Sequence, residues 1–263
     1  MKKSIKISIA QINSSLGDFE YNYEKIINNI NAASLAGAEL IVFPEAALFG
    51  YHPFDLLECP GLVELQLKYL KKIEKNIPFG LTAVVGLFTK NKSKLGRPYF
   101  NSVAIVTRKK KTRLFHKEIL PVGDVFDEGR FIEKGNLKNN FIKVSGHKIF
   151  ISICEDIWGW PDQLGRSIHS ANPLTQVAKN GVDLVLNISA SPFYADKMKL
   201  RQRVVQKTAN YFKAPMIYTN LVGAQDEIVY DGNSFLTDAK GVVSFQLNSF
   251  KEQLAHFELT NKK

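Results

Sequence analysis

Cysteine is scarce in this 263-residue chain, which has only Cys59 and Cys154, and acids are outnumbered, 25 against 35 lysines and arginines. Two cysteines are too few to staple a disulfide-rich secreted scaffold. No run of eighteen apolar residues occurs, so no membrane-spanning helix is expected. Met1-Lys2-Lys3-Ser4 leads into Ile5–Ala10, which alternates like a strand and lacks an unbroken apolar signal core. A cytoplasmic protein is therefore expected. Linkers, low-complexity tracts and short-period repeats are absent. The histidines at 52, 116, 147, 169 and 256 are scattered without metal-ligand spacing, so neither a metal nor a cofactor is expected.

What is present is an ordinary globular balance, 45% hydrophobic and 23% charged, which excludes whole-chain disorder. The length suffices to bury a sizeable core in one domain. The positive charge is uneven: from Lys68 to Lys117 there are fourteen lysines and arginines against one acid, Glu74. Such clustering is compatible with a nucleic-acid partner. No aromatic interleaving or binding motif accompanies it, so a solvated lysine face is the preferred reading and no nucleic acid is expected. The densest piece, Arg108-Lys109-Lys110-Lys111-Thr112-Arg113, reads as a hairpin tip.

Strands and helices take turns along the chain. Strands are expected at 5–12, 39–43, 81–88, 182–187 and 215–218. Strand pairs are expected at 102–107 with 112–116, at 141–144 with 148–154, and at 232–237 with 242–246. Helices follow from Tyr23, Ile26, Ile30 and Ala33, from Leu62, Leu65, Tyr69 and Ile73, and from Val205, Ala209 and Phe212. A further helix is expected from Pro173 to a Gly181 cap. This pattern predicts an α/β fold with helices on the outer faces of sheets, in a single domain over residues 1–263.

Three reactive side chains each follow an apolar strand: Glu45 after Leu40–Pro44, Lys117 after Leu114-Phe115-His116, and Cys154 after Ile149–Ile153. Singly, each has an ordinary explanation: a solvated loop acid, a surface lysine, a small buried hydrophobe. Together they form a chemically complete set. A thiol attacks a carbonyl carbon, a carboxylate takes its proton and returns it to the leaving nitrogen, and an ammonium holds the oxyanion. Cys59 has no such setting and reads as structural.

The Glu–Lys–Cys order, with Phe43-Pro44-Glu45, Lys117-Glu118-Ile119-Leu120-Pro121 and Cys154-Glu155-Asp156, resembles the nitrilase (carbon–nitrogen hydrolase) superfamily. Gly50–Leu57, Val125–Glu128, Cys154–Trp158, Asn187–Phe193 and Asn220–Glu227 narrow the resemblance to the glutaminase branch found in glutamine-dependent NAD synthetases. The resemblance implies a four-layer αββα sandwich and a glutaminase that releases ammonia through a Cys154 thioester, with Glu45 as base and Lys117 at the oxyanion. It implies Glu128 as a second acid of the pocket, substrate contacts at Trp158, Ser191 and Lys197, and a homo-oligomer. It also implies a partner, an ATP-dependent NAD synthetase domain or subunit, since this chain carries no Ser-Gly-Gly-x-Asp-Ser nucleotide loop. The sequence departs from the branch at Gly123, where an aromatic contact to substrate is usual. That departure keeps another reading open, a stand-alone amidase for a different small linear amide. A third, a non-catalytic basic scaffold or nucleic-acid partner, is opposed by the intact Glu45, Lys117 and Cys154.

Overall fold

The computed structural model describes residues 4–123 and 126–260. Its strands, in chain order, are β1 (Ile5–Gln11), β2 (Leu40–Val42), β3 (Thr82–Lys90), β4 (Tyr99–Thr107), β5 (Arg113–His116), β6 (Val122–Gly123), β7 (Phe126–Asp127) and β8 (Phe141–Val144). There follow β9 (His147–Ile153), β10 (Leu184–Ser189), β11 (Met216–Asn220), β12 (Val222–Gln225), β13 (Ile228–Asp231), β14 (Phe235–Thr237), β15 (Val243–Gln246) and β16 (Gln253–Leu259). The α-helices are α1 (Phe19–Leu35), α2 (Leu62–Asn76), α3 (Glu128–Phe131) and α4 (Lys197–Phe212).

Two six-stranded sheets carry the fold, ordered β16-β1-β2-β3-β4-β5 and β15-β14-β11-β10-β9-β8. Side-chain alternation decides which face each strand offers. Ile7 and Ile9 of β1, Leu40 and Val42 of β2, Ile149, Ile151 and Ile153 of β9, and Leu184 and Leu186 of β10 meet in one core between the sheets. The alternate positions face outward. Ile41 and Ala83 pack under Ile26, Ile30, Leu70 and Ile73 of α1 and α2. Phe150, Val185 and Met216 pack under Val205, Ala209 and Phe212 of α4. Helices therefore cover the outer face of each sheet, and the layering is αββα. The basic run does end in a hairpin tip: residues 108–112 join β4 to β5 in antiparallel register.

The structure departs from the sequence expectations in three places. Pro173 starts only a single 3-10 turn, Pro173–Gln176, rather than a helix reaching Gly181. Asn172 caps it through Leu174 N, and the Thr175 hydroxyl bonds back to Asn172 O, so side chains take up the groups that helix growth needs. A hairpin not expected from the sequence follows β11: β12 pairs with β13 around Asp226, whose φ is 56°. The last strand, β16, went unexpected; it pairs antiparallel with β1 from Ile5↔Leu259 to Gln11↔Gln253.

One glycine places the turn after β2. A Cβ on Gly86 of β3 would stand 2.3 Å from Ala46 N and 2.4 Å from Pro44 O. The Pro44–Ala46 backbone therefore crosses β3 at a distance only glycine allows, and Gly86 O accepts from Leu48 N at 3.0 Å. Gly86→Ala should lower the unfolding free energy by about 2 kcal/mol, as overpacking of a filled core does. Urea unfolding measures this, and an unchanged midpoint would show that the crossing yields freely.

Candidate active site

Glu45, Lys117 and Cys154 leave the ends of strands in both sheets. Glu45 follows β2 and Lys117 follows β5, in one sheet; Cys154 follows β9, in the other. Lys117 is held on both sides of its peptide: its N–H donates to Asn101 O at 2.9 Å and its carbonyl accepts from Gly135 N at 2.6 Å. A Cβ on Gly135 would lie 2.4 Å from His116 O, so glycine is what lets this irregular segment pass so close to the end of β5.

The Lys117 and Glu45 side chains are wholly excluded from solvent, and Nζ stands 2.8 Å from Glu45 Oε1 and 2.9 Å from Glu128 Oε2. A buried charge is tolerated only when paired and hydrogen-bonded. The partners are complete for Glu45: Asn101 Nδ2 donates to Oε1 at 2.7 Å, and Ala190 N, just beyond β10, donates to Oε2 at 2.9 Å. The same Asn101 amide donates to Glu128 Oε1 at 3.0 Å. Burial alone would lower the Lys117 ammonium, but Glu128 and Glu45 override it and hold it well above the ordinary lysine value of 10.5. Burial pushes the Glu45 carboxyl up, against the pull of Lys117.

Cys154 sits at a strand-to-turn junction with φ of 42°, in the sparsely populated left-handed region, and opens a 3-10 turn, Cys154–Ile157. Asn187 Nδ2 reaches its carbonyl at 3.4 Å. Burial, reinforced by Glu45, drives the Cys154 thiol well above its ordinary range, while Lys117 draws it down. The resting group is therefore a thiol, beside a carboxylate whose basicity burial has increased.

Cys154 lines a narrow cavity together with Trp158, Ser191, Lys197, Tyr51 and Phe126. The cavity adjoins an outer groove of ≈ 740 Å³ that shares Trp158 and Lys197 with it. The Lys197 ammonium lies 4.2 Å from the centre of the Trp158 ring and 4.8 Å from that of Tyr194, cation–π contacts that fix a positive charge at the mouth. Ser191 is buried; Arg201 Nε donates to its hydroxyl oxygen at 3.1 Å, and Arg201 is itself anchored on Asp231 at 2.7 and 2.9 Å. Glu128, expected as a second acid of the pocket, is not among the residues that line this cavity and is instead the second carboxylate on Lys117. Gly123 pairs with Phe126 across β6 and β7; the neighbouring Asp124 and Val125 lie outside the described residues.

Sequence reasoning did not find Asn101, Ala190, Tyr51 or Asp156. A strand-interior asparagine flanked by Phe100 and Ser102 was the one signal for Asn101. The donor at Ala190 is a backbone N–H, which leaves no trace in residue type.

A carbon–nitrogen hydrolase family model matches residues 6–262. The glutamine-dependent NAD(+) synthetase of Synechocystis sp. is 34% identical over 252 residues, covering 95% of this chain and 45% of its own length. That of Thermotoga maritima is 33% identical over 262 residues, covering 98% and 42%. The solved glutamine-dependent NAD+ synthetase from Acinetobacter baumannii superposes with a TM-score of 0.87 at 31% identity, over 98% of this chain and 46% of that one. An amidase from Nesterenkonia sp. shares the fold, with a TM-score of 0.80 at 19% identity, over 98% of this chain and 91% of that one. The chain thus spans less than half the length of the curated relatives it matches.

Removing the cation from this cluster leaves two carboxylates facing each other without water. Lys117→Met should cost roughly 3–5 kcal/mol of stability at pH 7, the range for breaking a buried ion pair. In the variant the folded state holds carboxyl protons more tightly than the unfolded chain does. The loss is therefore full well above the ordinary carboxyl value of 4.5 and shrinks as pH falls toward it. Urea unfolding at pH 7 and pH 4.5 checks this; a loss that grows on acidification would contradict the charge assignment.

Proposed function

The chain belongs to the carbon–nitrogen hydrolase family, and from that membership we propose that it is a thiol amidohydrolase releasing ammonia from glutamine, as the glutaminase domain or subunit of an NAD synthetase. The observation that carries the proposal is the fully buried Glu45–Lys117–Glu128 cluster beside a strained, buried cysteine that opens on a cavity. In this reading the 263 residues form one domain, and the ammonia is consumed by an ATP-dependent synthetase domain or subunit. A cytoplasmic homo-oligomer is the setting we assign it.

The geometry supports the following chemistry. The amide side chain enters the narrow cavity past Trp158, Ser191 and Lys197. Cys154 Sγ attacks the amide carbon as its proton passes to Glu45. A base with raised affinity for protons suits this transfer, since it must take a proton from a reluctant thiol. The oxyanion rests on the Lys117 ammonium and on the N–H of Glu155, in the first turn after the nucleophile; one such donor contributes about 3–4 kcal/mol. Glu45 returns the proton to the nitrogen, the C–N bond breaks, and ammonia leaves a γ-glutamyl thioester. Water attacks the thioester, Glu45 takes its proton, and the departing sulfur recovers a proton from Glu45.

Gly123 supports a second reading within the same chemistry, a stand-alone amidase for another small linear amide, because the aromatic substrate contact of the glutaminase branch is missing there. Ammonia release from glutamine, compared with release from other small amides, separates the two. Cys154→Ala should abolish ammonia release while keeping the folded spectrum. With glutamine present, mass spectrometry of the intact protein should show an acyl adduct on Cys154. An adduct on the exposed Cys59, or undiminished turnover by the alanine variant, would overturn the assignment.

A further inference from the structure

We propose that Asp156 is the positioning residue of this site, one carboxylate that fastens the Cys154 turn to the strand end bearing Lys117. Its side chain is completely buried. Oδ2 accepts from Ile153 N at 2.8 Å, and Oδ1 accepts from Glu118 N and Ile119 N, both at 2.9 Å. Ile153 immediately precedes Cys154; Glu118 and Ile119 immediately follow Lys117. The first group ends β9 and the others lie just past β5, so a single side chain holds together the ends of two different sheets.

A local helix cap accounts for only one of these three bonds. The Ile153 bond closes the 3-10 turn in the usual way, and it also braces the left-handed φ of Cys154. In an ordinary cap the second oxygen turns to water. Here it turns inward and satisfies two consecutive N–H groups beyond β5, which continue the clamp that Asn101 O and Gly135 N begin on Lys117. All three neighbours are donors, so the geometry demands the ionised, acceptor-only form of the carboxyl. Burial raises the Asp156 carboxyl while the three N–H donors and Lys117 lower it, and burial prevails, leaving it at about 7.

The proposal rests on the thiol amidohydrolase reading for its kinetic readout. Asparagine has the shape of aspartate but one oxygen, so Asp156→Asn can serve one strand end only; its NH2 meets an N–H donor at the other. We expect kcat for amide hydrolysis to fall about 100-fold with KM within threefold of wild type, in a variant that keeps a cooperative melting transition. A kcat that is unchanged, or that falls only with the unfolded fraction, would reduce Asp156 to a structural cap and overturn the proposal. A second measurement needs neither the variant nor turnover. Amide hydrogen exchange is followed in wild-type protein before and after alkylation of Cys154 with iodoacetamide. Alkylation should change exchange at Glu118 and Ile119 at least threefold, because the carboxylate that holds them also holds the Cys154 turn. Change confined to residues near Cys154 would overturn the link. If wild-type protein hydrolyses no amide yet shows coupled exchange, the functional reading fails while the positioning role stands.

Discussion

The ammonium of Lys117, sealed from water between two carboxylates, is the constraint on which the site's construction depends. An isolated buried charge costs several kcal/mol, so everything around it must supply compensation at fixed positions. Glu45 and Glu128 provide the charge, and the Asn101 amide binds both of them at once. The resulting cluster carries one excess negative charge, which opposes ionisation of the nearby thiol. A protonated thiol beside a strengthened base is the consequence.

That arrangement needs parts of the chain far apart in sequence to be held to a fraction of an ångström. Two carboxylates do this across the gap between the sheets. Glu45, beyond β2, takes the N–H of Ala190 beyond β10; Asp156, beyond β9, takes the N–H groups that follow β5. Each bond runs from one sheet to the other, so the site forms only when the sandwich closes. Close approaches at Gly86 and Gly135 bring the turns carrying Glu45 and Lys117 within reach. Fold and site are therefore one construction, and the interior isoleucines that drive the sheets together also assemble the charges.

Glu45, Lys117 and Cys154, to which we assign the chemistry, stood out in the sequence because each ends an apolar strand run, a pattern that survives in residue types alone. Sheets with helices on their outer faces were legible for the same reason, since Ile7, Ile9, Ile149 and Ile151 alternate with residues of the opposite face; the four-layer sandwich was what the family resemblance implied. The supporting groups were harder to see. A backbone donor such as Ala190 N has no residue signature, and Asp156 reads locally as a cap until its second oxygen is traced to β5. Strand β16 was missed because it is an edge strand. Only Ala255 of it is buried, His256 and Glu258 face outward, and its pairing with β1 joins residues some 250 positions apart. The expected helix at Pro173 failed because Leu174, Val177 and Ala178 cannot outweigh Asn172 and Thr175, which bond to the backbone themselves.

The resting state proposed for Cys154 is a protonated thiol served by a carboxylate base, rather than a preformed thiolate. The direct measurement is the rate of iodoacetamide alkylation at Cys154 against pH, in a Cys59→Ser background that leaves one thiol. A protonated resting thiol gives a midpoint above the ordinary cysteine value of 9.0, with alkylation slow throughout the neutral range. A midpoint below 7 would mean that Lys117 outweighs burial and Glu45 together, and would contradict the general-base mechanism.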